Sequence, residues 1–128
     1  YLNADTAWLA AGNFLTPTLA DADAPFSCLE AATAGVDIFA ITLYAVGAEG
    51  FGWALKIGRK TLCNVADAVV AGDMLGTTTS AGRLDAITFT TTAATLTQLT
   101  AGFKSLRSRT VLALTDGTSG NTATVYIS

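Results

Sequence analysis

Ten carboxylates, two thiols and no histidine set the chemistry open to this 128-residue chain. Without imidazole, neither a Ser-His-Asp nor a Cys-His nucleophile can be assembled from it. Zinc sites built on histidine are excluded too, and two cysteines cannot close a four-thiolate site. The acids are eight Asp and two Glu. A glycosidase needs two of them at a fixed separation across a cleft, and Asp37, Glu49 and Asp116 are the candidates. Yet nearly all the acids stand in Gly-, Ala- or Thr-rich stretches, where Asp is favoured for backbone reasons alone. Asp21 and Asp23 form a D-x-D pair without the glycine and distal Glu of an EF-hand loop, which reads as a solvated turn. Gly47, Gly50 and Gly52 in GAEGFG lack the Lys-Ser/Thr pair of a phosphate loop and read as turn residues. The expectation is a protein with no catalytic residue, no cofactor and no metal.

Composition points the same way. Hydrophobic residues make up 51% and charged residues 13%, about half the usual charged share. So little charge suits a subunit whose surface is covered by neighbours. A net charge of −3 argues against nucleic acid, because neutralising phosphates takes clustered cations. The small clusters Lys56, Arg59, Lys60 and Lys104, Arg107, Arg109 read as solvated strand ends or subunit salt bridges. Gly, Thr or Asp interrupts every apolar run short of a membrane span. No basic stretch precedes an apolar run, so no signal peptide is expected, and an opening Tyr1 in place of Met is expected of a processed chain or a piece of a longer one. Cys28 in FSCLE and Cys63 in TLCNV read as buried free thiols, and a bridge would require their segments to be neighbours.

The elements that must position these residues repeat. AITLYAVGAEGFGWALKI, from Ala40 to Ile57, reads as two strands of β-branched and aromatic residues joined by a glycine-bearing turn. TVLALTDGTSGNTATVYI, from Thr110 to Ile127, matches it without gaps: Gly47 meets Gly117, Gly50 meets Gly120, Leu55 meets Val125 and Ile57 meets Ile127. Before each copy stands a small-Gly-Asx-apolar-Leu element, Ala11 to Leu15 and Ala71 to Leu75. Two echoes in one order predict a duplicated β unit. The predicted fold is mainly all-β: a single domain over 1–128, a compact β-sandwich or barrel-like structure from similar units at about 10–57 and 70–127. Residues 1–10 form an N-terminal arm or first edge strand. Strands are expected over 26–32, 61–70 and 83–91. Leu96, Leu99, Phe103 and Leu106 recur at helical spacing, so one short helix is expected over 92–106.

With chemistry set aside, recognition falls to side chains that anchor contacts. Tyr1, Leu2 and Trp8 of the arm, Trp53 of the first hairpin, Arg59 in the charged corner GRK and Arg83 are the interface candidates, since large aromatics on peripheral segments often anchor interfaces. Trp8, Tyr44, Trp53 and Tyr126 form an alternative set that would stack on sugars.

AVVAGDMLGTTTSAGRLDAI resembles the "turn, AGD, apolar, Thr/Ser-rich, AGR" element of small β domains in tailed-phage virions, the capsid decoration or cement proteins and some tail-fibre and spike modules. AAGNFLTPTLADADAPF and GAEGFGWALKIGRK are similar in the first half, and VLALTDGTSGNTATVYIS resembles the closing strand pair of such domains. The resemblance implies a structural protein of the virion, on the capsid surface and often a homotrimer. Its partners would be the major capsid protein and itself, with no nucleic acid and no membrane. The alternative it implies is a tail-fibre or spike module that recognises host glycans. Residues 92–106 have no counterpart in that pattern.

Overall fold

Two glycines with positive φ, Gly12 at +81° and Gly72 at +97°, turn the chain into Phe14–Pro17 of one sheet and Met74–Thr77 of another. The computed structural model of the chain describes residues 1–18, 27–31, 36–66, 69–78, 80–87, 110–117 and 121–128. The expected helix over 92–106, the D-x-D pair and the Lys104, Arg107, Arg109 cluster lie outside these residues.

The described chain is all-β. The strands are β1 (Leu2–Asn3), β2 (Phe14–Pro17), β3 (Ser27–Glu30), β4 (Ala40–Thr42), β5 (Ala54–Leu55), β6 (Gly58–Asn64), β7 (Met74–Thr77), β8 (Leu84–Ala86), β9 (Val111–Ala113) and β10 (Thr122–Ile127). One five-stranded sheet runs β1-β3-β2-β4-β5 and the other β6-β10-β9-β7-β8. All neighbours are antiparallel except β1 and β3. The fold is therefore a mainly-β sandwich or barrel-like domain, as the alternating apolar residues predict. Among the described residues no helix is long and apolar enough to cross a membrane.

The order β3-β2-β4-β5 returns as β8-β7-β9-β10, and the ladders fix which residues correspond. Thr42 N donates to Asn13 O at 2.9 Å, and Ala113 N donates to Asp73 O at 2.9 Å. Leu43 N donates to Trp53 O, and Leu114 N donates to Thr124 O. Leu43 thus corresponds to Leu114 and Trp53 to Thr124, one residue away from the ungapped sequence match, which pairs them with Ala113 and Ala123.

A slip of one residue reverses the face a strand presents, and the reversal is visible in the packing. The cross-strand row Phe14, Ile41, Leu55 turns into the shared core. Its ladder counterpart, Met74, Leu112, Tyr126, turns outward. In the second sheet the row Leu75, Val111, Ile127 faces the core instead. In the hairpin the ungapped match keeps buried Ile41 with buried Val111 and parts from the ladder by one residue, whereas in the Gly-Asx element match and ladder agree and buried Phe14 corresponds to exposed Met74. The sheets consequently pack front to back.

The core joins Phe14, Ile38 and Ile41 of the first half to Leu75, Leu84, Val111, Val125 and Ile127 of the second. Full burial of each such side chain contributes on the order of 1.5–3 kcal/mol. The other face of the first sheet is covered separately, Leu15 and Cys28 packing with Leu9, Tyr1, Phe39 and Ala54. A polar seam also ties the halves: Asn13 Nδ2 donates to Glu30 Oε1 and Asn64 Nδ2 donates to Asn13 Oδ1, while Asn64 N donates to Gly12 O at 2.9 Å. A bulge in β6 carries Leu62 at φ +55°. Its carbonyl lies so near Gly12 that a Cβ there would sit 2.3 Å from it.

Candidate interaction site

The arm and the first hairpin connection build the most exposed aromatic surface of the described chain. β1 pairs in parallel with β3, Leu2 level with Ser27, and its other edge meets the connection. Asn3 N donates to Gly50 O, Glu49 N to Asn3 O and Gly52 N to Tyr1 O, each at 2.9–3.0 Å. Leu2 is bridged to Phe51 and Leu9 to Val46. The arm is thus the edge strand of the first sheet within its own chain.

Asn3 holds this arrangement. Its side chain is fully buried, and Nδ2 donates to Ala7 O at 3.0 Å, Val46 O at 3.2 Å and Gly47 O at 2.9 Å. Its Oδ1 accepts from Asp5 N at 2.9 Å. One amide therefore closes the arm on itself and fastens it to the connection. The positive φ in this connection belongs to Glu49, at +56°. Gly47 and Gly50 serve the turn as expected, Gly50 N donating to Gly47 O at 3.0 Å, and Gly47 and Gly52 also admit neighbours. A Cβ at Gly47 would meet the Trp8 ring at 3.4 Å, and one at Gly52 would sit 2.4 Å from Val46 and 3.0 Å from the Tyr1 ring.

On this support Phe51 is 81% exposed, Trp53 78%, Trp8 74% and Tyr44 68%. Tyr1, Phe51, Gly52 and Trp53 line an open depression of about 290 Å³, just below the usual range of small-molecule sites. The Tyr1 Oη is buried with no hydrogen-bond partner among the described residues. Burial, and secondarily the charge of Cys28, pushes the Tyr1 phenol up to about 12.

The interface candidates divide among three places. Tyr1, Leu2, Trp8 and Trp53 come together here, joined by Phe51, which sequence reasoning passed over. A large aromatic between two glycines was its one mark in the sequence, and that does not say on which side of the connection the ring lies. Arg59 lies in the second sheet opposite Tyr126. Arg83 follows Gly82, whose carbonyl accepts from Phe14 N. Tyr126 is therefore separated from the other three members of the sugar-stacking set, being in the second sheet.

Asp116 Oδ1 accepts from Ala71 N, Glu49 occupies the connection, and among the described residues no group of three His, Cys, Asp or Glu is placed to hold a metal. Both cysteines are free and buried. Burial pushes the Cys63 thiol up to about 11 against a smaller opposing effect of Lys60. It raises Cys28 too, against the N-terminal ammonium. Both are protonated at neutral pH and poorly nucleophilic. Glu30 is raised by burial first and Asp5 second, with the Asn13 hydrogen bond opposing.

Compared with known proteins, the chain matches no family model and no curated sequence.

Proposed function

We propose that this chain is a structural protein of a virion, a capsid decoration protein that acts by adhesion and catalyses nothing. The observation that carries the reading is the aromatic surface itself: Trp8 of the arm, and Tyr44, Phe51 and Trp53 of the connection to which Asn3 fastens it, stand exposed. Rigid, amphipathic rings held in place lose little conformational freedom on docking. Covering four such rings removes roughly 600 Å² of accessible surface, on the order of 15 kcal/mol before association costs of similar size are subtracted. Bound to an assembled shell and not to its dispersed subunits, many copies would shift the balance toward the shell by mass action.

The depression bounded by Tyr1, Phe51 and Trp53 favours a second reading, a tail-fibre or spike module whose aromatic rings stack on host glycans. One experiment separates the two. Capsids stripped of the protein are incubated with wild type and with a Phe51→Ala/Trp53→Ala variant, and heat disruption is followed by light scattering. The decoration reading expects wild type to bind and raise the disruption temperature, while the variant folds normally and does neither. A glycan-array signal lost in the same variant, without capsid binding, would replace decoration by receptor recognition.

A further inference from the structure

The outward face of the second sheet is chemically ordered from edge to edge. Successive strands place Arg59, Tyr126, Leu112 and Met74 in one cross-strand row over β6, β10, β9 and β7. Ile87 N donates to Met74 O and extends the row to the β8 edge. Two residues back on β8, on the same face, stands Asp85, exposed and opposite Gly76. The face therefore has a cation at one edge, an apolar centre and a carboxylate at the other edge. Tyr126 is 43% and Met74 42% exposed.

The fold shows what such a row packs against. Its ladder counterpart Phe14, Ile41, Leu55 is covered by the second sheet. A third sheet stacked front to back would continue that series, but the receiving face of another copy, Leu15 with Cys28, is already closed by Leu9 and Tyr1. The arm caps one end of the stack, as terminal repeats cap a solenoid. Among the described residues no such cap lies over the other end, where Tyr126 and Met74 are exposed.

We infer that the outward face of the β6-β10-β9-β7-β8 sheet pairs with the same face of a second copy about a two-fold axis through Leu112. β9 is the middle strand, so this axis lays Tyr126 over Met74 of the second copy and brings Arg59 over its β8, within an arginine's reach of Asp85. The charge order is self-complementary in that arrangement, as an isologous contact requires. Five strands at about 4.8 Å spacing and three to four residues of about 3.4 Å make a patch of about 24 by 12 Å. That is about 290 Å² per copy, below the standard size of specific interfaces, and it sets a weak, concentration-dependent dimer with a dissociation constant on the order of hundreds of micromolar. The contact is closed, so it adds no filament.

Light scattering coupled to size exclusion, from about 1 μM to 1 mM, reads the mass directly. The expected result is a shift from the 13.1 kDa chain mass toward twice that value. Arg59→Asp alone and Asp85→Arg alone each put like charges together twice per dimer and weaken it about tenfold. The double variant, Arg59→Asp with Asp85→Arg, restores affinity to within about threefold. Circular dichroism of each variant establishes that it is folded. A mass of one chain throughout, a mass of three chains, or a double variant no better than the singles would overturn the inference. The Phe51 and Trp53 variant leaves this dimer unchanged, so the two surfaces fail or stand separately.

Discussion

Truncating Asn3 to Ala isolates what the arm depends on. The side chain is wholly buried and makes four hydrogen bonds. After truncation Val46 O still accepts from Leu9 N at 2.9 Å and Gly47 O still accepts from Gly50 N at 3.0 Å. Ala7 O and Asp5 N lose their Asn3 partner. Two net hydrogen bonds at about 1 kcal/mol each, with a small cavity term, give a loss of about 2–3 kcal/mol. The loss should fall on the arm, and the cysteines report where it falls. Cys28 packs with Leu9 and Tyr1, whereas Cys63 belongs to the inter-sheet core. With about 1.4 kcal/mol per tenfold, labelling of Cys28 by a thiol reagent should accelerate roughly 30- to 150-fold while Cys63 labels at its former rate. Asn3→Asp sharpens the case. Its carboxylate would face three carbonyl oxygens, which raises its pKa in the folded state. The folded protein then holds the proton more tightly, so this variant is most stable in acid and loses stability as pH rises through the raised pKa. An Asn3→Ala protein within about 0.5 kcal/mol of wild type in urea, or Cys63 accelerating in step with Cys28, would refute the reasoning.

Three further outcomes follow from the same geometry. Gly12→Ala should cost more than about 3 kcal/mol in urea unfolding, because its Cβ would strike the Leu62 carbonyl at a positive φ, whereas Gly72→Ala meets nothing within 4 Å and should cost only about 1 kcal/mol for its backbone conformation. Tyr1→Phe removes the buried hydroxyl that lacks a partner among the described residues and should be neutral or stabilising by up to about 1 kcal/mol by thermal melting. Glu30 has a raised folded pKa, so it contributes stability below the ordinary carboxylate pKa that is lost as pH rises through the raised value. Glu30→Gln keeps an acceptor for Asn13 and should flatten that part of the stability–pH curve, read by chemical denaturation at a series of pH values.

Much of this was legible locally. A strand alternates with a period of two wherever one face is buried, so the β class could be read from AITLYAV or TATVYI without any partner in view. The missing histidine removes the catalytic devices that need one, and Cys28 and Cys63 read as buried thiols from their apolar neighbours. The aromatic site was half legible: Tyr1, Leu2, Trp8 and Trp53 could be named from type and peripheral position. Phe51 could not, because nothing in GAEGFG says that an arm will pin the connection and leave that ring outside. Asn3 was equally silent, since a buried amide with three carbonyl acceptors is spelled like any turn asparagine.

Sequence by itself determined that this chain forms short strands punctuated by Gly-Asx turns, because backbone preference and alternation act between near neighbours. Tertiary structure decided which face of each strand is inside. Met74 and Phe14 hold equivalent ladder positions, yet one is outward and the other buried, because the sheets stack front to back. That choice is made by the packing of segments far apart in the chain, and a shift of one residue, invisible to local pattern, reverses it.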